Sequence, residues 1–266
     1  SMTSECLQLQ AMNPNLCIKN DASYHDMYYM NPPAKDLSKI ASSDKVKKVQ
    51  KDFEATHVRP QRLMKTLFTD EAYVKANVDE ARLMRRLFDL ACNMQSHDTD
   101  MQLYSLFTDE ECYDLWSCNN LYWYLTHACS PVTDGLMPYR EADLLRNILD
   151  RADAALKEGK NQATLRFGHE SCLLPLVALL ELNHYGESYP DVEKLSEQWR
   201  AYDIFPMASN VQFVFFHKKG SNDVLVKVLL NEKEAKLPVK TDVAPYYHWK
   251  DVESYYREKL DKYQHI

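Results

Sequence analysis

A histidine and a glutamate stand side by side where a predicted strand meets a predicted helix. His169 and Glu170 occur in the stretch TLRFGHESCLLPLVALLELNHYG, residues 164–186. In open α/β sheets ligands bind where strands end, and the free N–H groups at a helix N-terminus favour anions. The pattern therefore predicts a phosphate or carboxylate site, with His169 as hydrogen-bond donor and Glu170 as acid.

The same residues also allow a purely structural interpretation, in which His169 and Glu170 only cap the helix. An acidic residue in the first turn of a helix complements the helix dipole, and Ser171 can cap such a helix by itself. Residue types and spacing favour neither interpretation over the other, so both stand at this point.

The elements on either side must position the pair. Leu165 and Phe167 alternate with other residues, which predicts an interior strand over 164–167. Gly168 permits a tight exit from that strand. The apolar residues that follow cover most of a helix surface, which predicts a buried helix with Gly186 as its C-terminal cap. These residues are Leu173, Leu174, Leu176, Val177, Leu179, Leu180 and Leu182.

The patterns in the first part of the chain are helical. A helix is predicted over 78–94, and another begins at Thr108, whose capping box with Glu111 is typical of a helix N-terminus. A third predicted helix ends at Gly159. Residues 1–160 are therefore expected to form a mainly helical domain. The apolar face predicted for the first of these helices comprises Leu83, Leu87, Leu90 and Met94.

Strand patterns dominate the second part of the chain. Residues 210–219 and 223–231 predict two strands joined in a hairpin by a turn at Gly220. A closing helix follows, with Trp249 at the start of an aromatic stripe that indicates packing. Residues 161–266 are therefore expected to form an α/β part.

Composition excludes several classes of function. The 266 residues carry a net charge of −7, which argues against a general nucleic-acid role. Only 5 glycines occur, without a P-loop or a GxGxxG motif, and we predict no cofactor. No run of about 18 apolar residues predicts a membrane span, and the first residues lack the pattern of a signal peptide. The seven cysteines form no CxxC pair and have no His-rich partner, so no metal site is predicted.

Several stretches together resemble one family. LRFGHESCLLPLVALL is similar to the C-terminal catalytic motif of the histidine acid phosphatases, the branch that includes phytases and multiple inositol polyphosphate phosphatases. FPMASNVQFVFF and DVLVKVLLNEKEAKLP resemble two later stretches of that family, and NDASYHDMYYMNPP, which contains residues 21–33, resembles a segment of its bacterial members. The resemblance covers most of the chain and is clearest over 164–238.

The resemblance carries a fold expectation. It implies an α/β protein with a helix-rich insertion domain and the C-terminal part of a mixed α/β sandwich, in which the sheet is incomplete. An incomplete sheet leaves an unpaired edge beside residues 164–167. We therefore expect a homodimer, or pairing with a partner chain, through that edge.

The resemblance also implies a reaction and a substrate class. In the family a histidine attacks phosphorus, and water hydrolyses the resulting phosphohistidine. His169 matches the family's second histidine, which donates to a phosphoryl oxygen, and Glu170 its proton donor to the leaving alcohol. The family often places the acid one residue later, where this chain has Ser171. Inositol polyphosphates, phytate-like molecules, are the implied substrates, and the implied location is periplasmic or extracellular.

The family's nucleophile is not found in the sequence. It belongs to an Arg-His-Gly-x-Arg motif, and no Arg-His-Gly triplet occurs in the 266 residues. The nearest match, THVRPQR with His57, lacks the glycine. The resemblance implies that the chain corresponds to the C-terminal two-thirds of a phosphatase, supplies His169 and Glu170, and is inactive alone. The alternative is a non-catalytic polyanion-binding or structural remnant of the same fold.

Four further residues are candidates for substrate binding. Arg59 and Arg62 belong to a basic run over 43–62, and an arginine can bind phosphate with two donors. The run can equally be the solvated face of a helical hairpin. Arg140 follows Pro138, and Asn210 lies in the ASN turn of the family-like stretch.

Overall fold

The computed structural model describes residues 1–25, 27–30 and 34–263. Asp26, Asn31, Pro32 and Pro33 belong to the family-like segment 21–33 and lie outside the described residues, so that segment is described only in part. Among the described residues, no helix combines the length and apolar character needed to cross a lipid bilayer.

Helices dominate the described part of the chain. The α-helices are α1 (Met2–Met12), α2 (Lys35–Ala41), α3 (Asp44–His57), α4 (Gln61–Leu67), α5 (Glu71–Asn77), α6 (Glu80–Asn93), α7 (Asp109–His127), α8 (Ala142–Glu158), α9 (Glu170–Leu179), α10 (Leu195–Gln198), α11 (Ala201–Ile204) and α12 (Trp249–Tyr263). Short 3₁₀ helices are Tyr28–Met30, Met94–Ser96, Tyr104–Leu106, Pro131–Thr133, Met137–Glu141 and Val192–Lys194. The capping box of Thr108 and Glu111 at the start of α7 is formed as predicted.

The helix α6 forms where it was predicted, but the prediction of its buried face was partly wrong. Met84 and Ala91 are its buried residues, whereas Leu90 is 53% exposed. Met84 and Ala91 lie seven residues apart and therefore on one face, which packs with Leu63 and Phe107 in a small apolar cluster. The position of that cluster decides which face of α6 is buried. Helix periodicity alone does not show where the cluster lies.

A four-stranded antiparallel sheet forms within the described residues. Its strands are β1 (Val211–His217), β2 (Val224–Leu230), β3 (Lys233–Glu234) and β4 (Tyr247–His248). The predicted hairpin is confirmed: β1 pairs with β2 from Val211 opposite Leu230 to His217 opposite Val224, and Gly220 in the turn has a φ of 82°. Both β3 and β4 also pair with β2, so β2 is the central strand.

The predicted strand over 164–167 is not formed. Residues 161–169 join α8 to α9 without helix or strand structure, and Leu165 and Phe167 are 55% and 38% exposed. A strand needs a hydrogen-bonded neighbour, and none of the described strands pairs with this segment. Apolar alternation indicates which side chains favour burial, but it does not supply that neighbour. The predicted pairing through this edge, as a homodimer or with a partner chain, stays a prediction.

The helix α9 is buried as predicted but ends earlier. It stops at Leu179, and Glu181 takes the left-handed conformation with a φ of 53°, instead of the predicted cap Gly186. Gly186 has a different purpose, because a Cβ atom there would lie 2.5 Å from Glu181 Cγ. The glycine therefore allows the chain to pass close to the residue that ends the helix.

One large apolar core connects both predicted parts of the chain. It includes Leu125 and Leu145 from the first 160 residues and Val177, Val228 and Tyr256 from the remainder. The predicted division into domains 1–160 and 161–266 stays a prediction. Because α9 lies within this core, the residues at its N-terminal end are attached to a rigid element.

Candidate functional site

The pair predicted from the sequence lies at the N-terminus of α9. Glu170 is the first residue of the helix and His169 precedes it in an extended conformation. The His169 carbonyl accepts hydrogen bonds from the N–H groups of Cys172 and Leu173, at 3.0 and 3.1 Å. The His169 side chain does not cap the helix. The capping interpretation therefore receives no support from His169.

Both side chains are open to solvent. His169 and Glu170 are exposed, and neither makes a side-chain hydrogen bond or ion pair with the described residues. A cavity of about 540 Å³ lies at the opposite end of α9, where Leu179, Glu181 and Lys259 line it. Neither His169 nor Glu170 lines this cavity. The roles of the two residues stay predictions.

Met30 covers the turn before α9. The Cys172 thiol donates a 3.2 Å hydrogen bond to the Met30 carbonyl, and a Cβ atom on Gly168 would lie 3.3 Å from Met30 Cε. The Met30 side chain therefore packs closely on Gly168. This contact fixes the start of α9 from one side.

The 3₁₀ helix Met137–Glu141 packs against α9. Glu141 is 2% exposed, and its Oε2 atom has no hydrogen-bond partner in the described structure. Burial raises the pKa of Glu141 to about 8, and the positive charge of Arg140 opposes this rise. Burial also raises the pKa of the Cys172 thiol, with a further contribution from the charge of Glu141. A neutral carboxyl group is thus favoured close to the first turn of α9.

Arg140 is brought towards the site by the same 3₁₀ helix. Its charge lowers the pKa of the Cys172 thiol, which lies in the first turn of α9, against the larger effect of burial. Burial and, secondarily, Arg140 lower the pKa of His127 to about 4. Of the four candidate substrate-binding residues, Arg140 therefore lies in the environment of α9, and its role as a phosphate ligand stays a prediction.

The guanidinium groups of Arg59 and Arg62 are paired with carboxylates of α7. Arg59 Nη2 donates to Glu110 at 2.9 Å and also contacts Asp114. These partners raise the pKa of Arg59, Glu110 most strongly. Arg62 Nε donates to Glu111 at 2.8 Å. Both arginines therefore join the start of α4 to α7, and these contacts do not support the predicted role in substrate binding.

Asn210 and His57 also have partners within the fold. Asn210 Nδ2 donates a 2.6 Å hydrogen bond to Glu232. Asn210 precedes β1 and Glu232 follows β2, so the contact lies at the end of the hairpin away from Gly220. The His57 ring stacks on Phe53 with 3.7 Å between the ring centroids, and its Nδ1 atom lies 2.9 Å from the Phe53 carbonyl oxygen. The predicted role of Asn210 in binding has no support from these contacts, and the contacts of His57 favour a structural role.

Arg166 and Glu141 were not predicted from the sequence. Arg166 Nη2 donates a 2.7 Å hydrogen bond to Asn147 Oδ1 on α8, and its guanidinium lies 6.0 Å from the centre of the Tyr29 ring. A charged residue between Leu165 and Phe167, in a stretch predicted to be buried, was the available signal for Arg166. Glu141 gave no comparable signal, because its burial results from the packing of a 3₁₀ helix on α9.

A sequence model of the histidine phosphatase superfamily (branch 2) matches residues 11–231. The chain belongs to this superfamily. The match includes the His169–Glu170 pair, and it confirms the family resemblance that these residues and their neighbours indicated.

Known relatives support the same assignment. Human multiple inositol polyphosphate phosphatase 1 is 28% identical over 134 residues, which are 46% of this chain and 27% of the human protein. The multiple inositol polyphosphate phosphatase of Bifidobacterium longum in complex with phosphate is similar in structure, with a TM-score of 0.58 and 19% identity, over 89% of this chain and 58% of that chain. Its complex with inositol hexasulfate gives a TM-score of 0.56 over 88% and 56% of the two chains, again with 19% identity.

These similarities extend over part of each relative. The chain spans 27% of the human protein and little more than half of the Bifidobacterium longum chain. The structural similarity confirms the α/β fold class of the histidine phosphatases. Within the described residues of this chain, the sheet of that fold is small and antiparallel.

Proposed function

We propose that the complete protein hydrolyses phosphomonoesters through a phosphohistidine intermediate, and that this chain supplies the proton donor and a phosphate-binding histidine. The observation that carries the proposal is the position of His169 and Glu170 at the N-terminus of α9. Both side chains are exposed and without partners in the described structure, and the helix behind them is buried. An N-terminus of this kind favours an anion through its N–H groups and its dipole.

Each residue has a defined part in the proposed reaction. A histidine from outside these 266 residues attacks phosphorus, a P–N bond forms, and the bond from phosphorus to the leaving oxygen breaks. Glu170 donates a proton to that oxygen, and an alcohol leaves. His169 donates a hydrogen bond to a phosphoryl oxygen and stabilises its charge. Water then attacks phosphorus, the Glu170 carboxylate takes a proton from it, the P–N bond breaks, and phosphate is released.

Inositol polyphosphates are the proposed substrates. The support is the names of the relatives, which are multiple inositol polyphosphate phosphatases, and the inositol hexasulfate complex of the Bifidobacterium longum protein. Arg140, close to the first turn of α9, adds a positive charge suited to a polyanion.

A second candidate function is non-catalytic binding of polyanions on the same fold. The observation in its favour is the sequence itself, which contains no Arg-His-Gly triplet in 266 residues. In that case His169 and the N-terminus of α9 bind phosphate groups, and no bond to phosphorus is broken.

Phosphate release from inositol hexakisphosphate by the complete protein tests the first function. We expect Glu170→Gln to lower the rate by about 10²–10⁴-fold, the usual contribution of a general acid. His169→Ala should also lower the rate. The matched controls are Glu158→Gln and His97→Ala, because these side chains are also exposed.

The choice of leaving group makes the test specific to proton donation. An activated aryl phosphate needs little protonation of its leaving group. Glu170→Gln should therefore slow the hydrolysis of this substrate much less than the hydrolysis of inositol hexakisphosphate. Equal effects on both substrates would remove Glu170 from the role of proton donor. Saturable binding of inositol hexakisphosphate without any phosphate release by the complete protein would establish the second function.

A further inference from the structure

Arg166 lies in an unusual environment for a charged side chain. It belongs to the segment between α8 and α9, and its guanidinium is placed between Asn147 on α8 and the Tyr29 ring. Its Nε atom is buried and has no hydrogen-bond partner among the described residues. Asn147 Oδ1, at 2.7 Å from Nη2, is a neutral acceptor.

A second arginine strengthens the positive charge at this position. Arg151 follows Asn147 by four residues on α8, so the two side chains lie on the same helix face. Arg151 has no ion pair with any described residue. Burial lowers the pKa of Arg166, the Tyr29 side chain opposes this effect, and the nearby charge of Arg151 adds to it. Neither arginine is neutralised by a carboxylate in the described structure.

Arg257 is an example of a structural arginine in this chain. Its three nitrogen atoms donate to Glu253, Asp150 and Asp153, at 2.6, 2.9 and 2.8 Å. A partly buried guanidinium without such partners is unfavourable, because it has lost water and gained no opposite charge. A bound anion removes this cost.

We propose that Arg166 and Arg151, together with Asn147, form an oxyanion-binding subsite for a phosphate group. A phosphate group carries nearly two negative charges at neutral pH, which matches two arginines, and its oxygens accept from several guanidinium N–H groups at once. The subsite is separate from the contacts proposed for His169.

The subsite lies close to the α9 N-terminus along the chain. Arg166 precedes His169 by three residues, a separation of about 10 Å at most along an extended chain. A polyphosphorylated small molecule can therefore place one phosphate group at His169 and another at Arg166. This source of the phosphate group rests on the proposed function, whereas the subsite itself rests on the contacts of Arg166.

The affinity of the chain for inorganic phosphate, measured calorimetrically at constant ionic strength, tests the subsite. We expect Arg166→Gln to weaken binding by about tenfold or more, because it removes a charge-assisted contact, and Arg151→Gln to weaken it less. Arg82→Gln is the matched control, because Arg82 is exposed and has no side-chain partner among the described residues. Unchanged affinity in Arg166→Gln, or no saturable binding by the wild-type chain, overturns the proposal.

Thermal unfolding separates the subsite from a structural role. If Arg166 binds an anion, phosphate raises the Tm of the wild type but not of Arg166→Gln, and without phosphate the variant is at least as stable as the wild type. A lower Tm of the variant without phosphate, together with an unchanged rise on adding phosphate, would assign Arg166 to the fold and overturn the proposal.

Inositol hexakisphosphate identifies the source of the phosphate group. Weaker binding in both Arg166→Gln and His169→Ala supports one ligand that contacts both positions. Weaker binding in Arg166→Gln alone supports the subsite and counts against the proposed function at His169. If only inorganic phosphate binding depends on Arg166, the subsite stands and its ligand is free phosphate.

Discussion

The Tyr256 hydroxyl donates a 2.7 Å hydrogen bond to the Leu180 carbonyl, which joins α12 to the residue that follows α9. Tyr256 is fully buried, and Leu180 is as well. The contact therefore holds the C-terminal end of the helix whose other end carries His169 and Glu170.

Removing this hydroxyl should destabilise the chain. In Tyr256→Phe the buried Leu180 carbonyl loses its donor, and we expect the free energy of unfolding to fall by about 1–3 kcal/mol. Urea unfolding measures the change. Tyr122→Phe is the control, because Tyr122 is 45% exposed and surface changes of this kind stay within about 0.5 kcal/mol. Equal stabilities of the two variants would contradict the role given to this hydrogen bond.

His248 should make stability depend on pH in the alkaline range. Its Nδ1 and Nε2 atoms lie 3.0 and 2.9 Å from carboxylate oxygens of Asp223 and Asp242. These carboxylates, Asp223 most strongly, raise the pKa of His248 to about 9. The folded pKa is above the ordinary value of about 6.5. The stabilisation is therefore complete below about pH 6.5 and is lost as the pH rises towards 9.

The variant His248→Gln should remove that dependence. We expect its free energy of unfolding to be lower than that of the wild type at pH 6 and to approach the wild-type value above pH 9. His97→Gln, an exposed histidine in a loop, should leave the pH profile unchanged. A difference in the free energy of unfolding between wild type and His248→Gln that stays constant from pH 6 to 10 would contradict the ionic contact.

Glu141 should weaken the fold as it ionises. Burial raises its pKa to about 8, so between about pH 4.5 and 8 the folded state binds more protons than the unfolded state. The free energy of unfolding then decreases with rising pH in this window and stays low above it.

The variant Glu141→Gln tests this expectation. It keeps the shape of the side chain but cannot ionise, so it should be more stable than the wild type above pH 8. One unit of pKa shift corresponds to about 1.4 kcal/mol, which places the gain at a few kcal/mol. Glu158→Gln is an exposed control. Destabilisation by Glu141→Gln at pH 9 would show that the ionised carboxyl has a partner.

Residues 1–266 alone should not turn over phosphomonoesters. General acid catalysis contributes about 10²–10⁴-fold, which is small against the acceleration that phosphate monoester hydrolysis needs. The measurement is phosphate release from inositol hexakisphosphate and from an aryl phosphate without added metal. Strong hydrolysis that His57→Ala abolishes would show that the nucleophile had been misplaced.

Local patterns predicted local structure well. The capping box of Thr108 and Glu111 and the hairpin around Gly220 depend on residues close in the sequence, and both are formed. The position of His169 and Glu170 at the N-terminal end of α9 was predicted for the same reason, because the apolar run and its polar boundary are adjacent.

Contacts between distant residues were not predictable in the same way. The expected strand over 164–167 fails because pairing needs a neighbour that alternation does not supply. Arg59 was a candidate for phosphate binding, yet Glu110 and Asp114 occupy it, and these residues are more than fifty positions away. Arg166 was missed because its neighbours Asn147 and Tyr29 come from two other elements.

The segment before α9 has a consequence for amide hydrogen exchange. Within the described ranges, no backbone N–H from residue 161 to 168 donates to a backbone carbonyl, so these amides should exchange at nearly the unprotected rate. Amides inside α9 are buried and helical, and they should exchange only through much larger opening events. His169 and Glu170 therefore lie on a boundary between two exchange regimes, with a rapidly exchanging segment on one side and a buried, protected helix on the other.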